Sequence, residues 1–285
     1  MKRFVAAILV LCVLLCGCSD KTKQTEPATR QFFAMDTVMG VIAAAEEMHA
    51  PIILQNYSRL LTNGEGYFCA PIIRAAAEQA SVPVCYHLDH GAGVPEVTRA
   101  IRYGASGIMI DKSLLSFEEN IAETKKVVEL CSAVGLAVEG EIGHVGVAAN
   151  GDEQTTAYTT VEEAKRFAEE TGVTALAVAV GTAHGRYKKA PRLAIERIAE
   201  IHKAIDASVV LHGGSGVPDD QIKAAINAGI RKINFGTDLC FAFLDNVFAT
   251  SREIYAIDLF MKGAIDGVKE FAKSKIQLLG AENKA

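Results

Sequence analysis

SVVLHGGSGVPDDQIKAAINAGIRKINFGTDL, residues 208–239, is the stretch whose reading decides the fold. A short apolar run, SVVLHG (208–213), ends in a glycine-rich turn. An amphipathic stretch follows over Asp219–Ala228, and a second apolar run, RKINFG (231–236), comes after it. Strand, helix and strand in so few residues describe a parallel pair joined by a helical crossover. The alternation continues upstream. Strands are expected at 51–56, 83–89, 106–111, 136–142 and 174–180, with helices over 67–80, 94–102, 117–133, 160–170 and 193–205. The near-continuous Val/Ile/Ala runs mean strands buried on both faces, hence a parallel sheet covered by helices. Seven strands are read in this way. A (β/α)8 TIM barrel needs an eighth, which is assigned to QFFAMD (31–36), ahead of a helix over Val38–Met48, as an atypical or incomplete first strand. An open doubly wound sheet is the alternative architecture.

The chain has 285 residues, half of them hydrophobic, enough for one barrel. Its net charge of -5, with acids and bases interspersed, leaves no footprint for nucleic acid. An anionic substrate must then be held by local groups. The N-terminus reads differently from the rest. MKRF followed by VAAILVLCVLLCG is a basic start and an apolar run, and Leu15-Cys16-Gly17-Cys18 resembles a lipobox. Residues 1–18 are therefore expected to be a lipoprotein-like signal that anchors the chain to a membrane through Cys18. Residues 19–30 are expected to be a polar tether, and 31–285 the barrel domain. Cys69, Cys85, Cys131 and Cys240 stand singly in apolar segments, which suits buried thiols and not a metal cage.

Active sites of parallel barrels lie at the C-terminal ends of the strands. Those ends here carry His87-Leu88-Asp89-His90-Gly91, Asp111, Glu139 and Glu141, Gly181-Thr182-Ala183-His184-Gly185, His212-Gly213-Gly214-Ser215-Gly216 and Asn234-Phe235-Gly236-Thr237. A single His at a strand end is more often a hydrogen-bonding group than a ligand. Three on one rim, each beside Gly, point to a catalytic Zn²⁺ held by His90, His184 and His212 with a position left open. Asp111 and Glu141 could bind the metal weakly in an alternate position, or hydrogen-bond the ligand His side chains. His87 is read as a supporting or packing group. Asp89, beside a ligand, could shuttle a proton or orient its neighbour. The loops HGGSG and NFGT supply backbone N–H groups, the Ser215 hydroxyl and a helix start at Thr237, a phosphate site where this fold commonly has one. The long polar stretch 143–158 reads as a lid, with Glu153 a candidate base or a solvated charge.

HLDHG, EGEIG, GTAHG, HGGSG and NFGTDL, in this order, resemble the class II ketose-bisphosphate aldolases, the fructose- and tagatose-bisphosphate enzymes among them. The resemblance runs from about Val41 to Gly280 and includes the ending KIQLLG. It implies Asp89 as the proton donor and His90, His184 and His212 as zinc ligands. Gly185, Gly213, Gly214, Ser215, Asn234, Phe235, Gly236 and Thr237 would surround the dihydroxyacetone phosphate moiety, with a monovalent cation, Na⁺ or K⁺, beside the phosphate. The implied reaction is Zn²⁺-assisted aldol cleavage of a phosphorylated ketose, fructose or tagatose 1,6-bisphosphate, to dihydroxyacetone phosphate and an aldehyde phosphate. The implied assembly is a homodimer or homotetramer, and such enzymes are cytoplasmic. The chain departs from the family's pattern in three places. QNYS puts Tyr57 where the family has Ser, ANGDE stands in for its lid motif, and QFFAMDTVMG resembles the start of flavin-transferase lipoproteins. Those departures motivate the alternative of a catalytically impaired, lipid-anchored protein that binds zinc and sugar phosphate.

Overall fold

The computed structural model describes residues 8–11, 27–143, 158–185, 187 and 189–285, with side chains described from Met35 onward. The chain is an α/β fold built on seven parallel strands in sequential order: β2 (Ile52–Tyr57), β3 (Val84–Gly91), β4 (Gly107–Ile110), β5 (Ala137–Ile142), β6 (Ala175–Val178), β7 (Ser208–Leu211) and β8 (Ile230–Phe235). The sheet is curved in the manner of a TIM barrel. A further short strand, β1 (Ile8–Leu11), is aligned parallel to both edges, with Leu9 opposite Ile52 of β2 and Ile233 of β8.

Ten helices are described: α1 (Pro27–Glu47), α2 (Ser58–Thr62), α3 (Gly66–Gln79), α4 (Val94–Arg102), α5 (Phe117–Ser132), α6 (Val161–Thr171), α7 (Ile195–Ala204), α8 (Asp219–Ala228), α9 (Thr237–Ala249) and α10 (Ile257–Leu279). Their boundaries follow local chemistry. Ser116 and Thr160 cap α5 and α6, each in a reciprocal capping box with the Glu three residues on. Outward-facing strand residues such as Leu54, Ile108, Val138 and Val209 pack beneath the helices in one continuous core. On β5 the outward position Gly140 leaves the space that the Phe167 ring of α6 fills, since a Cβ there would stand 2.8 Å from Cε1.

One expectation fails here. QFFAMD (31–36) is not a strand; it is the middle of α1, which runs unbroken from Pro27 into the helix expected over Val38–Met48 and begins inside the expected tether. The physical reason is the period. Val38, Val41, Ala44, Ala45 and Met48 are buried at helical spacing, and no breaker separates them from the residues before. Pro27 opens the helix, where its missing N–H costs nothing. Gly40 marks where α1 crosses α10 so closely that a Cβ would lie 2.7 Å from the Ile265 carbonyl oxygen. The β1 segment falls instead within the apolar run that reads as a signal.

Candidate active site

A strand alternates its side chains between faces, so His87 and Asp89 of β3 point to the same side and His90 should point away. It does not, because His90 adopts a left-handed conformation (φ 51°) and the pairing of β3 with β4 shifts register between Leu88 and Gly91. The kink turns Asp89 and His90 toward the same space. Such a conformation is costly for a residue with a Cβ and persists where the surroundings enforce it. Gly91 makes the kink possible, since a Cβ there would meet the Met109 carbonyl oxygen at 2.6 Å.

His90 near the end of β3, His184 in the loop after β6 and His212 just past β7 bring ring nitrogens within 4.8 Å of one another. His90 packs edge-on to the other two rings, at centroid distances of 5.2 and 4.9 Å. Three imidazoles with carboxylates behind them are a donor set suited to a divalent ion such as Zn²⁺. Asp111 and Glu141 are drawn to the same place: together with His90 they form a second group whose ligand atoms lie within 4.8 Å of each other. Asp111 Oδ2 is 2.7 Å from His90 Nδ1, and its Oδ1 accepts from the Ser113 amide and hydroxyl. Glu141 Oε2 lies 3.3 Å from His212 Nδ1. Burial alone would lower the His90 pKa, but Asp89, Asp111 and Glu141 outweigh it and push the ring up to about 10. This acid-rich pocket therefore draws positive charge to the space between the rings. Asp111 is correspondingly held well below the usual carboxylate range: burial opposes this, and the His90 hydrogen bond prevails.

Asp89 is buried beside the three rings. Its Oδ1 accepts from Gln55 Nε2 (3.2 Å) and Asn234 Nδ2 (3.4 Å) and stands 4.0 Å from His90 Nε2. Asp89 is thus fixed by β2 and β8 and not by its neighbouring His. Tyr57 closes the β2 side with its ring 5.7 Å from that of His90.

The two glycine-rich loops meet. Gly214 N–H donates to the Asn234 carbonyl, the Ser215 hydroxyl accepts from Asp238 N–H at the start of α9, and Gly216 N–H donates to the Asp238 carboxylate. Gly213, with φ 67°, lies so close to the preceding loop that a Cβ would be 2.5 Å from the Ala183 carbonyl oxygen. Gly236 caps α9 without a side-chain hydrogen bond, and Thr237 begins a helix whose N-terminal end favours an anion. Gly185 also has positive φ and open space around it. Glu153 lies outside the described residues.

Three residues of the site, Glu139, Lys232 and Gln55, carried no role in the sequence reading. Glu139 accepts from His212 Nε2 through Oε1 at 2.8 Å, and its Oε2 lies 2.7 Å from Lys232 Nζ and 3.3 Å from His87 Nε2. His87, held down to about 4 by burial and then by the Lys232 charge, stays neutral as a supporting group. The signal for Glu139 and Lys232 was parity: in IRKINF, Lys232 shares a face with Asn234, and in AVEGEI, Glu139 shares one with Glu141. Gln55, which holds Asp89, could have been found in the same way.

Comparisons with known proteins give the family. The family model described as fructose-bisphosphate aldolase class-II matches residues 21–284. A sulfofructosephosphate aldolase of Alkalicoccus urumqiensis is 38% identical over 88% of this chain and 89% of its own length. A fructose-bisphosphate aldolase of Thermus caldophilus is also 38% identical, over 88% of this chain and 92% of its own. The crystal structure of the YdjI aldolase of Escherichia coli K12 superposes with a TM-score of 0.81 at 32% identity, covering 98% of this chain and 94% of that one. Members of the family are zinc-dependent aldehyde-lyases, and this chain belongs to the class II fructose-bisphosphate aldolase family.

Proposed function

We propose that the chain reversibly cleaves a phosphorylated ketose, fructose or tagatose 1,6-bisphosphate, to dihydroxyacetone phosphate and an aldehyde phosphate. The observation that carries the proposal is the convergence of His90, His184 and His212 beside a buried Asp89. Zn²⁺, when bound by the three His, supplies Lewis-acid polarisation of the ketose carbonyl. Asp89 takes the proton of the hydroxyl on the carbon that leaves as the aldehyde. With Oδ1 committed to Gln55 and Asn234, Oδ2 is the atom placed for that exchange. The C–C electron pair stays with the dihydroxyacetone phosphate fragment, and Glu153 of the lid is the group we assign to protonate it. Gly185, Gly213, Gly214, Ser215 and Asn234 to Thr237 hold the phosphate of that fragment, with a monovalent cation, Na⁺ or K⁺, beside it. Asp111 and Glu141 hold the His rings and offer the metal an alternate position. The assembly is a homodimer or homotetramer.

We further propose that β1 closes the sheet into an eight-stranded barrel. Cleavage ahead of Cys18, the lipoprotein reading, would remove that strand, so the two uses of residues 8–11 exclude one another. Intact mass of the native protein, with membrane fractionation, separates them.

Full-length protein loaded with Zn²⁺ and given fructose or tagatose 1,6-bisphosphate tests the activity. Triose phosphate release that stops on chelation supports it. Binding of the sugar phosphate without release favours the impaired binding protein instead.

A further inference from the structure

We infer that Lys232, buried inside the sheet on β8, is a positioning residue that ties the metal-binding His212 to the proton-transfer residue Asp89. The inference rests on the reading of the site proposed above and adds a residue to it.

A lysine is rarely buried without a partner, because removing an ammonium from water costs several kcal/mol unless that charge is matched. Lys232 is 6% exposed and is matched on two sides: Nζ lies 2.7 Å from Glu139 Oε2 and donates to Asn234 Oδ1 at 3.0 Å. Each partner leads onward. Glu139 Oε1 is 2.8 Å from His212 Nε2. Glu141 Oε2 lies 3.3 Å from Nδ1, so Glu139 is the closer carboxylate, and it accepts the Nε2 proton when a metal takes the Nδ1 lone pair. On the other side, Asn234 has its oxygen on Lys232, which fixes the amide so that Nδ2 donates to Asp89 Oδ1 at 3.4 Å. One ammonium therefore fixes the carboxylate that holds a ligand ring and the orientation of the amide that holds the catalytic carboxylate. Among the described residues it is the Lys or Arg within ion-pair distance of Glu139.

The test uses Lys232→Met and Lys232→Arg. For Lys232→Met, zinc affinity from chelator competition should fall about 10–100-fold, the usual effect of removing a group behind a ligand. In zinc-loaded protein, the ¹⁵N–H signal of His212 Nε2 should shift as its Glu139 partner loses its anchor. The kcat of zinc-saturated enzyme should fall more than KM rises, and Lys232→Arg should restore part of the zinc affinity. Should Lys232→Met fail to fold because Glu139 is left uncompensated, the double variant Glu139→Gln/Lys232→Met removes both charges and should still show weakened zinc binding. Zinc affinity and an Nε2–H signal both unchanged in a folded variant would overturn the inference. Because both are read without substrate, that result leaves the proposed reaction standing, whereas normal zinc binding with no turnover in the parent protein would sink the reaction and not the inference.

Discussion

Asp89→Asn isolates proton transfer from metal binding. The amide keeps the shape of the carboxylate and an oxygen that can accept from Gln55 and Asn234, so the pocket stays filled. What is lost is charge. Hydrogen bonds to a charged group are worth about 1.5–3 kcal/mol and neutral ones about 0.5–1.5. The two contacts, at 3.2 and 3.4 Å, are long, so we expect a loss of about 1–2 kcal/mol. For a chain of this size that lowers Tm by only a few degrees, on the order of 2–4 °C per kcal/mol. Zinc content should not change, because Asp89 stands 4.0 Å from His90 Nε2, beyond hydrogen-bond reach, and the His90 ring is held by Asp111. Turnover should fall by about 10²–10⁴, the contribution typical of a positioned acid or base. That equals about 3–5 kcal/mol of barrier. KM should stay near that of the parent, since the phosphate loops are untouched. Zinc by elemental analysis, with triose phosphate release in a coupled assay, decides the matter. A variant that loses its zinc, or that keeps more than about a tenth of kcat per bound zinc, would show that Asp89 orients the site and does not move the proton.

His184→Ala should behave in the opposite way, losing zinc and activity together while remaining folded; full zinc content by elemental analysis would exclude His184 as a ligand. Gly140→Ala should destabilise by about 1–3 kcal/mol, because its Cβ would press on Phe167 at 2.8 Å, and should lower the denaturation midpoint. An unchanged midpoint would show that α6 can yield. The α1–α10 contact should be acid-sensitive. Hydrogen bonds from Lys269 and Lys273 lower the Glu47 carboxyl from 4.5 to about 2, so its stabilisation is present above 4.5 and is lost as pH falls toward 2. Glu47→Gln should flatten the pH dependence of Tm across that window, and an unaltered slope would show that the pairing contributes nothing.

The sequence by itself determined the parallel βα alternation from Ile52 onward, because buried strands and amphipathic helices differ in period whatever surrounds them. It also singled out the three His that the fold brings together, since polar groups near the ends of apolar strands have few other reasons to be there. It misassigned QFFAMD, where the apolar spacing fits a strand over six residues but a helix over twenty-one. The deciding partner there was α10, nearly the whole chain away. Only the tertiary structure revealed that Asp89 and His90, adjacent in sequence, face the same pocket, because that depends on a left-handed kink enforced by the pairing with β4. Only it joined Lys232 of β8, Glu139 of β5 and His212 just past β7. Each is individually a costly burial, and the cost is offset only when the curvature of the sheet brings their charges to within a hydrogen-bond length of each other.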